Sequence, residues 1–234
     1  AQQHKYEQLA KAIDLQPGQS VLEIGCGWGG FAEFAAKTYG AKVLALTISK
    51  EQHDFARRRI HKAGLAEKVE IRLQDYRDQE GRFDRIASIE MIEAVGEQFW
   101  PAYFNQLKQR LKPGGLAGIQ AITVHDELFG SYRQRVDFIQ RYIFPGGMLP
   151  SAAILRTLGE RFEMPIVRER MFGQDYARTI SLWRDSFSRA WIDLTSLGFD
   201  EPFRRMWEYY LCYCEAGFRA GKIDVGHFVF ARRG

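Results

Sequence analysis

Cysteine is scarce in this chain of 234 residues. Cys26, Cys212 and Cys214 are an odd set, so no disulfide framework follows from them. That usage fits a reducing compartment, and the cytoplasm is the expected location. Cys212 and Cys214 form a C-x-C pair without a matching cysteine or histidine pair. His227 alone does not complete a tetrahedral set, so both read as helix packing residues. Histidine is also sparse, and the spacing of His4, His53 and His61 offers no metal cluster. No apolar run reaches about 18 residues, so no membrane-spanning helix is expected. The opening Ala1-Gln2-Gln3-His4-Lys5 lacks the apolar segment of a signal peptide. Net charge is only +4. That suits an anionic lipid surface but is not a nucleic-acid signature, so no nucleic-acid partner is expected. Internal repeats, low-complexity segments and a Ser–His–Asp arrangement are all lacking.

What is abundant is glycine at one turn. Val21-Leu22-Glu23-Ile24-Gly25-Cys26-Gly27-Trp28-Gly29-Gly30 runs from an apolar strand through a glycine loop into a helical pattern. Such a turn lets the backbone approach a ligand, and the following helix start offers unpaired N–H groups. Gly25, Gly27 and Gly30 formally satisfy a dinucleotide fingerprint. That fingerprint wants an acid at the end of the second strand, where Thr47 stands instead. Glu23 precedes the first glycine by two residues, and E-x-G-x-G-x-G resembles motif I of class I S-adenosylmethionine (SAM) methyltransferases. An NAD site and a turn without a ligand are the alternatives.

The pattern of elements supports an α/β reading. Helices are predicted over 6–13, 30–38, 49–61 and 99–111, and strands over 20–24, 42–47, 68–73, 83–89 and 116–124. Ser49 with Gln52 three residues later forms a predicted capping box. Pro113-Gly114-Gly115 separates the fourth helix from the fifth strand. This alternation predicts a doubly wound unit. Beyond it, helices are expected over 132–142, from Ser151 to 158, over 175–197 and over 201–220. An edge strand is expected over 166–171 and a closing strand over 225–231. His125, Asp126 and Glu127 read as loop residues. Aromatics crowd the late half, including Trp183, Phe187, Trp191, Trp207, Tyr210 and Tyr213. Most read as core, with a subset suited to line an apolar ligand channel.

Longer segments sharpen the picture. They include Thr47-Ile48-Ser49-Lys50-Glu51-Gln52, Asp75-Tyr76-Arg77, Phe83-Asp84-Arg85-Ile86, the run from Tyr142 to Ser151, Phe172-Gly173-Gln174-Asp175-Tyr176 and Tyr209-Tyr210-Leu211. Together they resemble the cyclopropane-fatty-acyl-phospholipid synthase family over nearly the whole chain. The resemblance implies a single methyltransferase domain over 1–234 built on a seven-stranded, mainly parallel sheet. Helical acyl-binding elements are expected around 130–162 and 175–220. It implies transfer of a methyl group from SAM to the cis double bond of an unsaturated fatty acyl chain of a phospholipid, closing a cyclopropane ring. Methyl branching, another lipid or small metabolite, and non-catalytic binding are the alternatives. Transient membrane contact by a peripheral cytoplasmic protein is expected, with a homodimer as one permitted assembly.

The resemblance also assigns residues. Glu23, Gly25, Cys26, Gly27 and Gly29 form the cofactor turn; Thr47, Ile48, Ser49 and Gln52 take the ribose or methionyl side. Gln74, Asp75 and Tyr76 take the adenine side, where Asp75 can accept from the amino group and Tyr76 can pack beside the ring. Ile89 and Glu90 complete the predicted cradle. Phe138, Tyr142, Phe144, Gly146, Gly147, Met148 and Tyr209 are expected to bind substrate. Alkylating an alkene leaves a carbocation, so the site needs ring faces, carboxylates and a proton acceptor away from water. Glu93 matches the family glutamate, and Tyr176 the tyrosine that helps hold a bicarbonate base. Ile122 matches a residue whose backbone contributes. The family departs here at two points. Ala94 replaces a histidine beside Glu93, and Gln120 replaces one at the end of the fifth strand. A glutamine can hydrogen-bond an anion but cannot carry its proton.

Overall fold

Residues 1–233 are described in the computed structural model. The apolar run before the glycine turn forms β1 (Ser20–Ile24), almost wholly buried because helices cover both faces of the sheet. β2 (Lys42–Thr47), β3 (Val69–Leu73), β4 (Phe83–Ile89) and β5 (Leu111–Val124) lie parallel to it. β6 (Ile166–Met171) forms an edge, and β7 (Ile223–Ala231) runs antiparallel between β5 and β6. The order is β3-β2-β1-β4-β5-β7-β6. Strand order therefore reverses between β1 and β4, and the crevice outside their C-terminal ends is where such sheets take ligands.

Helix α1 (Gln2–Ala12), α2 (Gly30–Tyr39) and α3 (Lys50–Lys62) cover one face. Their core includes Leu9, Ile13, Phe31, Ala35 and Ile60 against Val21 and Val43. On the other face lie α4 (Trp100–Arg110) and α7 (Ala152–Arg161), with Trp100, Tyr103, Phe104 and Leu155 packed on Leu22, Ile86 and Phe228. Between them in the chain are α5 (Asp126–Tyr132) and α6 (Phe138–Tyr142). Helices α8 (Gly173–Arg189) and α10 (Glu201–Arg219) enclose a third cluster around Ile180, Leu211 and Phe218, with α9 (Trp191–Ser196) between them in sequence.

Several local expectations change. β5 starts at Leu111, because Leu111 pairs with Phe83 and the ladder shifts register before Arg85 pairs with Leu116. The bulge accommodates Pro113, which has no N–H for a regular ladder. The stretch 132–142 is not one helix. Asp137 caps a new one by accepting from Gln140 N, and Gln140 Oε1 accepts from Asp137 N, a complete capping box. Asp126 and Glu127 are not loop residues but open α5, where Asp126 accepts from Ala153 N. The helix over 175–197 is two, joined at Ala190, with Phe187 and Trp191 rings 5.8 Å apart across the joint. Ser49 accepts from Gln52 N, but Gln52 returns no bond to Ser49; its Oε1 accepts from Thr47 Oγ1 at 2.8 Å. Cys214 packs in the core, whereas Cys212 is exposed and meets Arg184.

Candidate active site

The glycine turn is shaped by its backbone. Gly25 N and Cys26 N both donate to Leu46 O, tying the turn to the end of β2. Gly27 adopts φ +52°, and a Cβ there would project into open space. Gly25 lies at φ +79°, and a Cβ would stand 2.7 Å from Met91 Cγ. The result is a cavity of about 470 Å³ at the sheet's reversal point. Ten of the expected cofactor residues line it: Gly25, Gly27, Thr47, Ile48, Gln52, Gln74, Asp75, Tyr76, Ile89 and Glu90. Such a cradle, a mostly apolar cleft with a glycine turn and a few polar groups from Thr47, Gln52, Gln74 and Asp75, fits an adenosine-bearing cofactor.

Four expected cofactor residues sit elsewhere. Glu23 alternates away from the cavity and lies buried on the α2 face of β1. Burial raises its carboxyl to about 8, against the lowering effect of the Ala32 amide. One carboxyl oxygen of Glu23 has no partner. Cys26 contributes its amide to the turn, but its thiol packs in the core, where burial pushes it up to about 12. Gly29 faces Ala56 of α3, and Ser49 caps α3. Asp75 does line the cavity, yet its carboxylate is held by Arg77 through bonds of 2.7 and 3.0 Å, which lower its pKa. Tyr76 stands edge-on to Tyr103 at 5.7 Å.

A second cavity, about 510 Å³ and mostly apolar, lies between β5, the α6–α7 connection and the α8/α10 pair. Phe144, Gly147 and Met148 line it as expected. Phe138, Tyr142, Gly146 and Tyr209 do not. Phe138 stacks edge-on to Tyr209 at 4.6 Å, while Tyr142 and Tyr209 are more than half exposed, so these rings form an outer cluster. The inner wall comes from residues outside the expected substrate set, though Trp183, Trp207 and Tyr210 are among the late aromatics suited to a channel and Tyr210-Leu211 lie in a family segment. Ile180 and Trp183 follow Tyr176 on α8 at offsets of four and seven, and Trp207, Tyr210, Leu211, Cys214 and Phe218 form a similar stripe on α10. That helical spacing is the sequence signal that could have found them.

Glu90 and Ala94 line both cavities. Glu90, expected as a cofactor residue, holds the centre of a hydrogen-bond chain. Gln120 Nε2 donates to Glu90 Oε1 at 2.6 Å, and Tyr176 OH donates to Glu90 Oε2 at 2.9 Å. A carboxylate only accepts, so the Gln120 amide nitrogen faces it and the amide oxygen faces His227. His227 Nε2 donates to that oxygen at 2.9 Å. Burial pushes His227 down to about 4, so the ring is neutral near pH 7. Burial, reinforced by Glu90, raises the Tyr176 phenol. Lys5 of α1 is also near: burial lowers its ammonium and the Glu90 charge opposes that.

Glu93 turns the other way. Its Oε1 accepts from Ile122 N at 2.6 Å, so Ile122 contributes backbone, while its Oε2 is enclosed without a partner. Burial raises the Glu93 carboxyl to about 8. Glu93 and Tyr176 were expected to act on one anion together; the geometry instead gives Tyr176 and Gln120 to Glu90. Among the described residues no His, Cys, Asp and Glu group could hold a metal ion.

A sheet of this order, a glycine turn at its reversal point and a cavity beside it define a class I SAM-dependent methyltransferase fold. Residues 1–228 match the family described as mycolic acid cyclopropane synthetase. The chain belongs to that cyclopropane synthase family. Tuberculostearic acid methyltransferase UfaA1 of Mycobacterium tuberculosis is 46% identical over 100% of this chain and 55% of its own length. Cyclopropane-fatty-acyl-phospholipid synthase of Escherichia coli is 39% identical over 99% of this chain and 58% of its own. The chain thus spans little more than half of these relatives. Among solved structures, cyclopropane synthase MmaA2 from Mycobacterium tuberculosis superposes with a TM-score of 0.89 at 26% identity, covering 97% of this chain and 83% of that one. Mycolic acid cyclopropane synthase CmaA1, solved with SAH and CTAB, gives the same score and coverage.

Proposed function

We propose that the chain carries the methyl-transfer machinery of an enzyme that methylates the cis double bond of an unsaturated fatty acyl chain of a phospholipid, closing a cyclopropane ring. One observation carries this reading: a glycine-walled cavity edged by Thr47, Gln52, Gln74 and Asp75 and a more apolar cavity meet at Glu90 and Ala94. Bound SAM would supply an electrophilic methyl group on a sulfonium. Gly25, Gly27, Thr47, Gln52 and Asp75 are the residues that would hold it. The apolar cavity aligns an acyl chain and keeps water from a cationic intermediate. Ring faces of Trp183, Trp207 and Tyr210 offer that cation a negative surface without a nucleophile. Ala94 leaves the shared wall low, so the two reactants can approach.

A second product is favoured by one observation. Gln120 stands where a titratable histidine is the family expectation, and UfaA1, at 46% identity, is named a methyltransferase rather than a cyclopropane synthase. That reading gives methyl branching instead of ring closure. Mass analysis of lipids from cells with and without the full-length protein separates the two. A gain of one CH2 unit with loss of double-bond reactivity supports the ring. Retained or migrated unsaturation supports branching, and unchanged lipid defeats both. Entry of the acyl chain from a membrane surface is part of this proposal; among the described residues no helix is long and apolar enough to cross a bilayer.

A further inference from the structure

The Glu90 side chain occupies the position in which a separate anion would need to bind. Gln120 and Tyr176 are the donors expected to hold such an anion, and both are spent on the Glu90 carboxylate at 2.6 and 2.9 Å. Ala94 offers no donor. A second anion against the same pair would set like charges within a few ångströms, an arrangement that resists double ionisation. The residues present therefore do not fit a bound bicarbonate.

The backbone at this position is costly. Glu90 adopts φ +50°, a left-handed conformation that L side chains other than Asn and Asp rarely take. Residues held there are strained and persist where the surroundings over-determine them. Here Glu90 N donates to Gln120 O at 2.8 Å, locking the turn at the end of β4 onto β5. The same turn delivers the carboxylate to the shared wall of the two cavities. Behind it, buried His227 fixes the Gln120 amide so that its nitrogen, not its oxygen, faces Glu90.

We propose that Glu90 is the built-in proton acceptor of the reaction, replacing a dissociable anion. This rests on the methyl-transfer reading above. In that reaction the alkene π pair forms the new C–C bond as the methyl leaves sulfur, and a carbocation remains. A C–H bond of the intermediate then breaks. Its electron pair closes the ring, or an alkene in the branched case, and the proton passes to a Glu90 oxygen. Each oxygen accepts one donor and keeps a lone pair for that proton. Gln120 and Tyr176 hold the carboxylate in place, and His227 is a positioning residue acting through Gln120.

The test uses the full-length enzyme, a cis-unsaturated phospholipid in vesicles, and buffers stripped of carbon dioxide. Wild-type turnover should be unchanged by removing or adding bicarbonate. Glu90→Gln keeps the volume and removes the base, so turnover should fall at least about a hundredfold. Its SAM dissociation constant should stay within about threefold of wild type, or roughly 0.65 kcal/mol. Glu90→Gly suits the left-handed backbone and opens an anion-sized space between Gln120 and Tyr176. It should be nearly inactive in stripped buffer and recover with bicarbonate or formate, and its Tm should rise with either anion while wild type's does not. A wild-type enzyme that stops without bicarbonate would overturn the proposal. So would Glu90→Gln at full turnover, or Glu90→Gly with neither rescue nor an anion-dependent Tm. Absence of methyl transfer by wild type on any unsaturated lipid would defeat the function proposed above instead; the Tm response of Glu90→Gly reads the anion position without turnover.

Discussion

Replacing Glu93 by glutamine should stabilise the cofactor-free protein at alkaline pH and leave it nearly unchanged at acidic pH. The enclosed carboxyl of Glu93 has one oxygen on Ile122 N and the other without a partner. Burial raises it from 4.5 to about 8. Between those values the folded chain keeps a proton that the unfolded chain has released, so the native state binds more protons. Stability associated with this group is therefore fully present below about pH 4.5 and is lost as pH rises through about 8. At 1.36 kcal/mol per pH unit the whole interval converts to a ceiling of roughly 5 kcal/mol. Water reaching the cavity wall screens part of that, leaving an expected effect of roughly 2–4 kcal/mol. Against a total of about 5–15 kcal/mol for a typical domain, that is a large fraction. Glutamine keeps the volume, keeps an oxygen for Ile122 N and has no proton to lose. Urea denaturation of both proteins at about pH 5, 7 and 9 measures the difference. Glu23 titrates over the same window in both proteins and cancels from it. A difference that stays flat from pH 5 to 9 would refute the reasoning, because it would mean that the Glu93 carboxyl is solvated in the folded state.

Other perturbations separate the parts of the site. Gly27→Ala places a Cβ in the open cradle at φ +52°, so calorimetry should show SAM binding lost at a stability cost of only about 1 kcal/mol; equal affinity in the folded variant removes the cofactor placement. Tyr176→Phe deletes one of the donors on Glu90 and should lower turnover about tenfold to a hundredfold, with SAM affinity within tenfold by titration. His227→Asn or Ala frees the Gln120 amide to flip, so a smaller loss of turnover should accompany an unchanged KM; an unchanged kcat argues against its positioning role. Sedimentation with anionic vesicles should weaken as salt rises, and salt-independent binding would remove the electrostatic contribution.

Much of the sheet was legible because its signals are local. The run at Ser20–Ile24, the glycine turn and the apolar stretch in Phe83–Ile89 mark buried parallel strands by sequence alone. Pro113 misled because a bulge can absorb a proline inside a strand. The break at Ala190 carries neither proline nor glycine, and the Asp137–Gln140 box lay inside a stretch whose periodicity suggested continuous helix. The site divides in the same way. Residues beside the glycine turn were found from the motif, whereas Glu23 and Cys26 share that motif but point their side chains into the core. The role of Glu90 was not legible. It depends on a left-handed φ, on Gln120 thirty positions away and on Tyr176 eighty-six positions away.

The pairing of β5 with β7 sets Gln120 directly opposite His227, 107 positions later in the chain. The cofactor cradle, by contrast, is drawn from segments that all precede residue 100. During synthesis the two halves of the site therefore emerge at different times. The segments of the cradle are all synthesised before the strand that gives the carboxylate at position 90 its ordered partner. Only when the strand carrying His227 inserts between β5 and β6 does the amide of Gln120 acquire a fixed direction. Cofactor contact and proton handling thus draw on different parts of the chain, and the final strand, buried through Phe228, Val229 and Phe230, joins the second to the core.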